Sequence, residues 1–179
     1  MSIELLANQG RDRIYGGLAA VDSSKLRHMR NVGLRSCFTR MDEAAYRMEF
    51  VARIYGKTFI NDAAARSVNA TWYALENTEG NIIWVALGGD NNADYSSIRQ
   101  LVLRKVHMLI CVGEDNTALK TAFQDLVPVL KEVGNLSAAV HCACYATLEN
   151  AKVLFSPATA EGMTDEQIGR MFSHEVNEL

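Results

Sequence analysis

The sequence predicts an α/β fold with a doubly wound, mainly parallel sheet of about six strands, helices on both faces and an antiparallel hairpin at its start. Three observations predict it. Apolar runs of strand length alternate with amphipathic segments of helix length from residue 46 onward. Several of these runs are apolar throughout, as strands buried on both faces are. A glycine-containing turn separates the first two runs, as in a β-hairpin.

The hairpin comes first in the chain. Residues 47–55 alternate apolar and polar side chains, which predicts a half-exposed strand. Gly56-Lys57 is the expected two-residue loop, and residues 58–61 return as the second strand.

A helix is expected to follow over residues 63–75. Asp62 stands at its predicted N-cap, because a short carboxylate can accept a hydrogen bond from the first turn. Val68, Trp72 and Leu75 share one side of this helix, so Trp72 is expected in the core together with Trp84.

The remaining segments alternate between the two periodicities. Strands are predicted over residues 81–87, 106–112, 127–133 and 152–157, and helices over 95–104, 116–126, 136–148 and 164–178. Pro128 marks the third of these strands as an edge strand. Thr164 and Gln167 have the spacing of a capping box at the start of the last helix. The alternation is typical of a Rossmann-like fold.

Composition excludes several classes of function. The chain has 179 residues and a net charge of −3, which gives no electrostatic reason to expect nucleic acid or an anionic membrane as partner. No apolar stretch approaches the ~18 residues of a membrane span, and the N-terminus lacks the pattern of a signal peptide. We therefore expect a cytoplasmic protein.

The four cysteines are expected to be reduced thiols in that compartment. Cys142 and Cys144 lie beside His141, a pattern that suggests a metal site. No second ligand pair stands at a suitable spacing, so we interpret these residues as part of an alanine-rich helix and predict no metal. The histidines share no motif, and no catalytic residue is predicted.

Two regions are expected. Residues 1–45 are predicted to be a helical N-terminal segment packed on, or leading into, the domain formed by residues 46–179. Arginines and lysines are dense from Arg11 to Arg40, which is consistent with a solvated face or with a face that binds a partner.

A set of short motifs then runs in a fixed order, with Gly88-Gly89 and Ser156-Pro157 among its turns. The motifs occupy residues 46–51, 59–62, 69–75, 82–89, 94–96, 109–116 and 153–158. In order and spacing they resemble the C-terminal domain of the Mur ligase family, and within it the UDP-N-acetylmuramoyl-L-alanine:D-glutamate ligases. The resemblance extends over roughly residues 10–175 and implies the fold already predicted.

The resemblance also implies a chemistry that this sequence does not carry alone. Mur ligases hold ATP and magnesium on the P-loop of a central domain, form an acyl phosphate, and use the C-terminal domain to bring in the amino acid. This sequence has no Gly-x-x-Gly-Lys-Ser/Thr phosphate loop. We therefore expect no cofactor and no ATP hydrolysis by the chain itself.

Four positions of the implied amino-acid site are altered. The family motif Asn-Asp-Ser-Lys-Ala-Thr-Asn aligns with residues 61–67, so Ala64 replaces a lysine and Arg66 a threonine. Asn91 replaces the lysine of the family's next loop, and Glu161 replaces a serine of the last one. Alanine can neither pair with a carboxylate nor donate to it, and Glu161 would repel one.

Two positions of the implied nucleotide site persist. Arg47 and Asp62 stand where the family contacts the ATP ribose, which leaves ATP open as a ligand. The alternative for this pair is a structural salt bridge and a helix cap. The nucleotide motif that the family has near its N-terminus is absent from residues 10–16.

The predicted function is that of a stand-alone, non-catalytic module for binding or regulation. The resemblance suggests a link of this module to peptidoglycan precursor synthesis. Its expected partner is another protein or a second copy of the chain. Two alternatives stay open: the C-terminal domain or a subunit of an ATP-dependent D-glutamate ligase, and a domain with a new small-molecule specificity.

Overall fold

The structure is a computed structural model in which residues 45–159 and 162–179 are described. Within them one sheet has the strand order β1-β2-β6-β3-β4-β5, in which the β1–β2 pair is antiparallel and the other pairs are parallel. The strands are β1 (Glu49–Ile54), β2 (Lys57–Asn61), β3 (Ile82–Leu87), β4 (Val106–Val112), β5 (Val129–Val133) and β6 (Lys152–Phe155). This confirms the predicted fold class. The predicted N-terminal segment, residues 1–45, lies almost wholly outside the described residues.

Helices cover both faces of the sheet. They are α1 (Val68–Asn77), α2 (Arg99–Lys105) after a 3-10 turn (Ser96–Ile98), α3 (Thr117–Phe123), α4 (Leu136–Cys144) and α5 (Asp165–Asn177). The first three helices pack on one face and the last two on the other. The steps from β2 to β5 run in one direction across the sheet and the step from β5 to β6 runs back. A uniform crossover hand therefore requires helices on opposite faces.

The hairpin turn differs by one residue from the prediction. Tyr55 and Gly56 form the loop, with φ of 46° and 77°, and Lys57 is already in β2, paired with Ile54. Two left-handed residues give the turn whose twist matches that of the two strands. Lys57 is needed in the strand because its buried Nζ donates to the carbonyl oxygen of Cys144 at 2.9 Å, at the end of α4.

Replacing Lys57 with methionine should lower the free energy of unfolding by about 1.5 kcal/mol, because a charge-assisted bond to a helix C-terminus is lost. Urea denaturation measures the change. Lys120→Met is the matched control: Lys120 pairs with Glu132 at 2.8 Å, but both side chains are partly exposed. Its cost should stay below about 1 kcal/mol. Equal costs for the two variants would contradict the structural role of Lys57.

Helix α1 begins later than predicted, and Asp62 does not cap it. The N-cap is Ser67, whose side chain accepts from the backbone N–H of Ala70. Residues 62–66 form turns instead, with the N–H of Ala65 donating to the carbonyl of Asp62 at 2.9 Å. The prediction was wrong because the Asp62 side chain is engaged with residues before β1, a contact that no local pattern reveals.

The later start also changes which side of α1 is buried. Thr71, Ala74 and Leu75 face the core, whereas Trp72 is 42% exposed, so its predicted burial was wrong. The hydroxyls of Thr71 and Ser156 lie 2.8 Å apart in a hydrogen bond between α1 and the end of β6. Because its hydroxyl is hydrogen-bonded, the polar Thr71 can be buried in the core. The apolar pattern had predicted burial for its neighbour Trp72 instead.

Trp84 lies in the core, as predicted. It is fully buried in β3, its ring meets Phe123 edge-on at 5.4 Å, and its indole N–H donates to the carbonyl of Ser156 at 2.9 Å. The single polar atom of a large apolar side chain is thus satisfied. The predicted capping box of Thr164 and Gln167 is also present at the start of α5.

Two further findings concern the described residues alone. None of their helices is long and apolar enough to cross a membrane. Over the same residues, no three histidine, cysteine or acidic side chains cluster in a way that could hold a metal ion.

Candidate functional site

A cleft of about 410 Å³ lies at the carboxyl ends of the parallel strands. The ends of β3 and β4 form its floor, and the start of α4 and the region around α5 form its walls. In doubly wound sheets this edge is the usual place for a ligand. The residues around the cleft include Leu87, Gly88, Val112, Gly113, Asn135, Leu136, Met163, Ile168 and Met171. They are mainly apolar.

The Arg47–Asp62 pair is buried beside this edge. Arg47 is 5% exposed and Asp62 is 0% exposed, and Arg47 Nε lies 3.7 Å from Asp62 Oδ1. The same oxygen accepts from the N–H of Met48 at 3.1 Å, and the guanidinium lies 5.7 Å from the centre of the Tyr73 ring. From the sequence, the alternative to ATP contact for this pair was a structural role, as a salt bridge and a helix cap. The salt bridge is present, whereas the predicted helix cap by Asp62 is wrong.

Arg66 joins two loops that border the cleft. It follows the turn after β2, and its Nη1 donates to the carbonyl oxygen of Met163, in the loop after β6. Ala64 lies in the same turn, where its N–H donates to the carbonyl of Tyr46 at 3.2 Å. Its methyl group supplies neither charge nor hydrogen bond to a ligand. Glu161 lies outside the described residues.

Asn91 is held by a carboxylate on the other side of the strand ends. Its Nδ2 donates to Asp115 Oδ2 at 2.7 Å, and Asp115 Oδ1 also accepts from the N–H of Thr117 at 3.0 Å. The bond from Asn91, followed by that from Thr117, lowers the pKa of Asp115 to about 2. The position where the family has a lysine is therefore occupied by a neutral amide bound to an ionised carboxylate.

Replacing Asn91 with alanine should raise the pKa of Asp115 toward its ordinary value of 3.8, because the largest stabilising contact of the carboxylate is lost. The folded pKa lies below the unfolded one, so the stabilisation is complete above about pH 4 and is lost as pH falls toward 2. A carbon-detected NMR titration of the Asp115 carboxyl measures it. Asn92→Ala is the control, because the hydrogen bond of Asn92 to Asp90 comes from its backbone N–H, which alanine keeps. An unchanged pKa in Asn91→Ala would contradict the contact.

Gly88 is kept for packing. Its N–H donates to the carbonyl of Val112 and that of Gly89 donates to the carbonyl of Asp115, both at 2.8 Å. A Cβ on Gly88 would stand 2.3 Å from the Asp115 carbonyl oxygen and from Asn116 Oδ1. The two loops approach too closely for a side chain, so the glycine is explained without any ligand.

Two buried asparagines escaped the sequence analysis. Asn61 donates through Nδ2 to the carbonyl of Gly169 and to Ser173 Oγ, both at 2.9 Å, and so ties the end of β2 to α5. Asn116 donates to the carbonyl of Gly113 at 3.0 Å, and its Oδ1 has no hydrogen-bond partner among the described residues. Asn61 is the last residue of β2, and Asn116 precedes α3 in the loop after β4, so a polar residue near the carboxyl end of a strand was the signal for both.

No protein-family model matches this chain. Individual known proteins do match it by sequence. The UDP-N-acetylmuramoylalanine–D-glutamate ligase of Christiangramia forsetii is 34% identical over 179 residues, which are 97% of this chain and 40% of that enzyme. The ligase of the same name from Porphyromonas gingivalis is 34% identical over 160 residues, 89% of this chain and 36% of the enzyme. The chain is homologous to the D-glutamate-adding Mur ligases. The resemblance predicted from the motif order is thus confirmed.

This Mur ligase homologue spans about two fifths of the length of the curated relatives it matches. Among solved structures, MurF from Thermotoga maritima aligns with a TM-score of 0.48 and 12% identity over 75% of this chain and 32% of that one. MurF from Acinetobacter baumannii aligns with a TM-score of 0.49 and 15% identity over 76% and 31%.

Proposed function

We propose that this Mur ligase homologue is a non-catalytic, cytoplasmic binding or regulatory module that has lost the amino-acid site of its relatives. The observation that carries the proposal is the engagement of the altered positions with the protein itself. Arg66 donates to the carbonyl of Met163, and Asn91 donates to Asp115. The described groups that now stand at these positions serve to join loops.

Electrostatics supports the same proposal. Ala64 and Asn91 are uncharged where the family has lysines, and the low pKa of Asp115 keeps a negative charge beside Asn91 at neutral pH. A charge-assisted hydrogen bond typically contributes about 1.5–3 kcal/mol, so the loss of two lysines removes most of the affinity for an anionic amino acid.

Calorimetry tests the loss of the inherited ligands. D-glutamate, ATP, ADP and UDP-sugars are titrated separately into the full chain, with the Christiangramia forsetii ligase as positive control. We expect no saturable heat at millimolar ligand. Saturable binding of D-glutamate would contradict the proposal.

The proposed partner is a protein that acts in peptidoglycan precursor synthesis or its control, or a second copy of this chain. The homology to precursor ligases and the loss of the small-molecule site favour this class. Affinity capture with the full chain, compared with an unrelated bait of equal size, tests the first form, and sedimentation tests the second. A strictly monomeric chain that enriches no partner would contradict both.

One observation favours a second candidate, a domain or subunit of an ATP-dependent D-glutamate ligase. Arg47 Nε and Nη2 are buried and make no hydrogen bond with the described residues. Buried N–H groups usually have acceptors, so a nucleotide oxygen that enters when the site opens would satisfy them. The calorimetric titration with ATP separates the candidates, because saturable ATP binding by the full chain would favour the second.

A further inference from the structure

A second cleft, of about 470 Å³, lies at the opposite end of the parallel strands from the inherited site. It is formed by the amino ends of β4 and β5 together with the segment that follows α4. Met108, Val129 and Leu148 are among the apolar side chains that line it. The volume lies within the range of small-molecule sites. None of the residues discussed above as inherited site positions lines it.

The charge of this cleft has one sign. Among the described residues that line it, Lys131 is the charged one and none carries a carboxylate. Lys131 forms no ion pair within the described part of the chain. Burial raises the pKa of the Cys142 thiol, and the positive charge of Lys131 opposes that rise. The positive charge of Lys131 is therefore felt at Cys142, which lines the same cleft.

One aromatic side chain that lines the cleft contacts two further rings outside it. Tyr145 lines the cleft yet is 68% exposed. Its ring stacks on His141, with centroids 6.2 Å apart and planes at 11°, and it meets Tyr55 at 6.1 Å. Tyr55 is itself 72% exposed, at the hairpin turn. An exposed tyrosine ring at the cleft offers a flat apolar surface to a ligand, which favours binding of an apolar group.

We propose that this cleft binds a small apolar carboxylate, such as an aryl acid or a medium-chain acyl acid. The hydrocarbon part lies between Met108, Val129 and Leu148, and the carboxylate meets Lys131. The apolar walls fit the hydrocarbon, and the Lys131 ammonium, which forms no ion pair with the described residues, supplies the complementary charge. The site is separate from the cleft at the carboxyl ends of the strands, so its ligand can bind whether or not the inherited site is functional.

Titration of the isotope-labelled full chain with 2-naphthoate and with 2-naphthylmethanol tests the proposal by NMR. We expect saturable shifts centred on residues 107–108, 129–131 and 145–148 for both probes. Lys131→Met should weaken naphthoate binding by about two- to fivefold, as expected for an exposed ion pair, and leave the neutral alcohol unchanged. Lys120→Met is the control, because Lys120 pairs with Glu132, the neighbour of Lys131 in β5. It should change neither affinity.

A cavity-filling variant, Ala146→Trp, should abolish binding of both probes. Three outcomes would overturn the proposal: shifts that do not saturate, shifts centred on the other cleft near Leu87 and Met163, or a Lys131→Met variant that binds both probes as the parent chain does. The measurement on Lys131→Met is independent of whether Ala146→Trp folds. Lys131→Met itself should fold as the parent chain does, because Lys131 is exposed.

Discussion

Replacing Asp62 with alanine should lower the free energy of unfolding by about 3–5 kcal/mol, because the change leaves the buried Arg47 guanidinium without its carboxylate. The N–H of Met48, which Asp62 Oδ1 accepts at 3.1 Å, also loses its acceptor. Met48 has φ of 48°, so this strained backbone depends on the same side chain. Chemical denaturation of the full chain measures the change.

The exposed Arg104–Glu76 pair supplies the control. Its atoms lie 3.6 Å apart, close to the 3.7 Å of the buried pair, but both side chains are largely in solvent. Glu76→Ala should therefore cost less than about 1 kcal/mol. The double variant Arg47→Met with Asp62→Ala should recover part of the loss, because neither charged group of this pair then remains. A cost for Asp62→Ala as small as that for Glu76→Ala would contradict a structural role.

Gly88→Ala should lower the free energy of unfolding by about 3 kcal/mol. The added methyl would stand 2.3 Å from a main-chain oxygen, that of Asp115, and from Asn116 Oδ1. The main chain cannot yield as a flexible side chain can, so the loop must separate. The two hydrogen bonds that join it to the loop after β4, from Gly88 and Gly89, are then weakened.

Gly134→Ala is the matched control for this change. It lies in the turn before α4, and a Cβ there would meet nothing within 4 Å. Its effect should stay within about 0.5 kcal/mol, as for other unconstrained surface sites. Similar stabilities for the two alanine variants would show that the close approach at Gly88 is unimportant, and the glycine would then need another explanation.

The strands were predictable because their signals are local. The apolar runs at β3 and β4 are typical of strands buried on both faces, as in parallel sheets, and their observed bounds lie within one residue of the prediction. The capping box at Thr164 was equally local, since both partners lie within four residues. Sequence periodicity therefore gave the order of elements and the class of the fold.

The errors arose where a distant contact outweighs a local preference. Asp62 looks like a helix cap, but it pairs with Arg47, fifteen positions earlier in the chain and adjacent only across the β1–β2 hairpin. Trp72 looks like a core residue, but the hydrogen bond between Thr71 and Ser156 fixes the helix with Trp72 outward. Neither partner can be identified from a window of ten residues.

At the candidate site, too, the residue identities were predictable from the sequence and their contacts were not. The altered identities at Ala64, Arg66 and Asn91 could be read from the motif order alone. Their present contacts could not, because Met163 and Asp115 are remote in sequence from Arg66 and Asn91. Through these contacts, the altered side chains at Arg66 and Asn91 join loops of the protein to one another.

The most direct test of the central claim is phosphate release by a chimera in which this chain replaces the matched segment of the Christiangramia forsetii ligase. With the UDP-linked precursor, ATP and D-glutamate, we expect release at least about a hundredfold below that of the intact enzyme, since two or more charge-assisted contacts are lost. A second chimera with Ala64→Lys, Arg66→Thr and Asn91→Lys shows whether the fold is still competent. D-glutamate-dependent release by the unaltered chimera within tenfold of the intact enzyme would contradict the claim that the inherited site is lost.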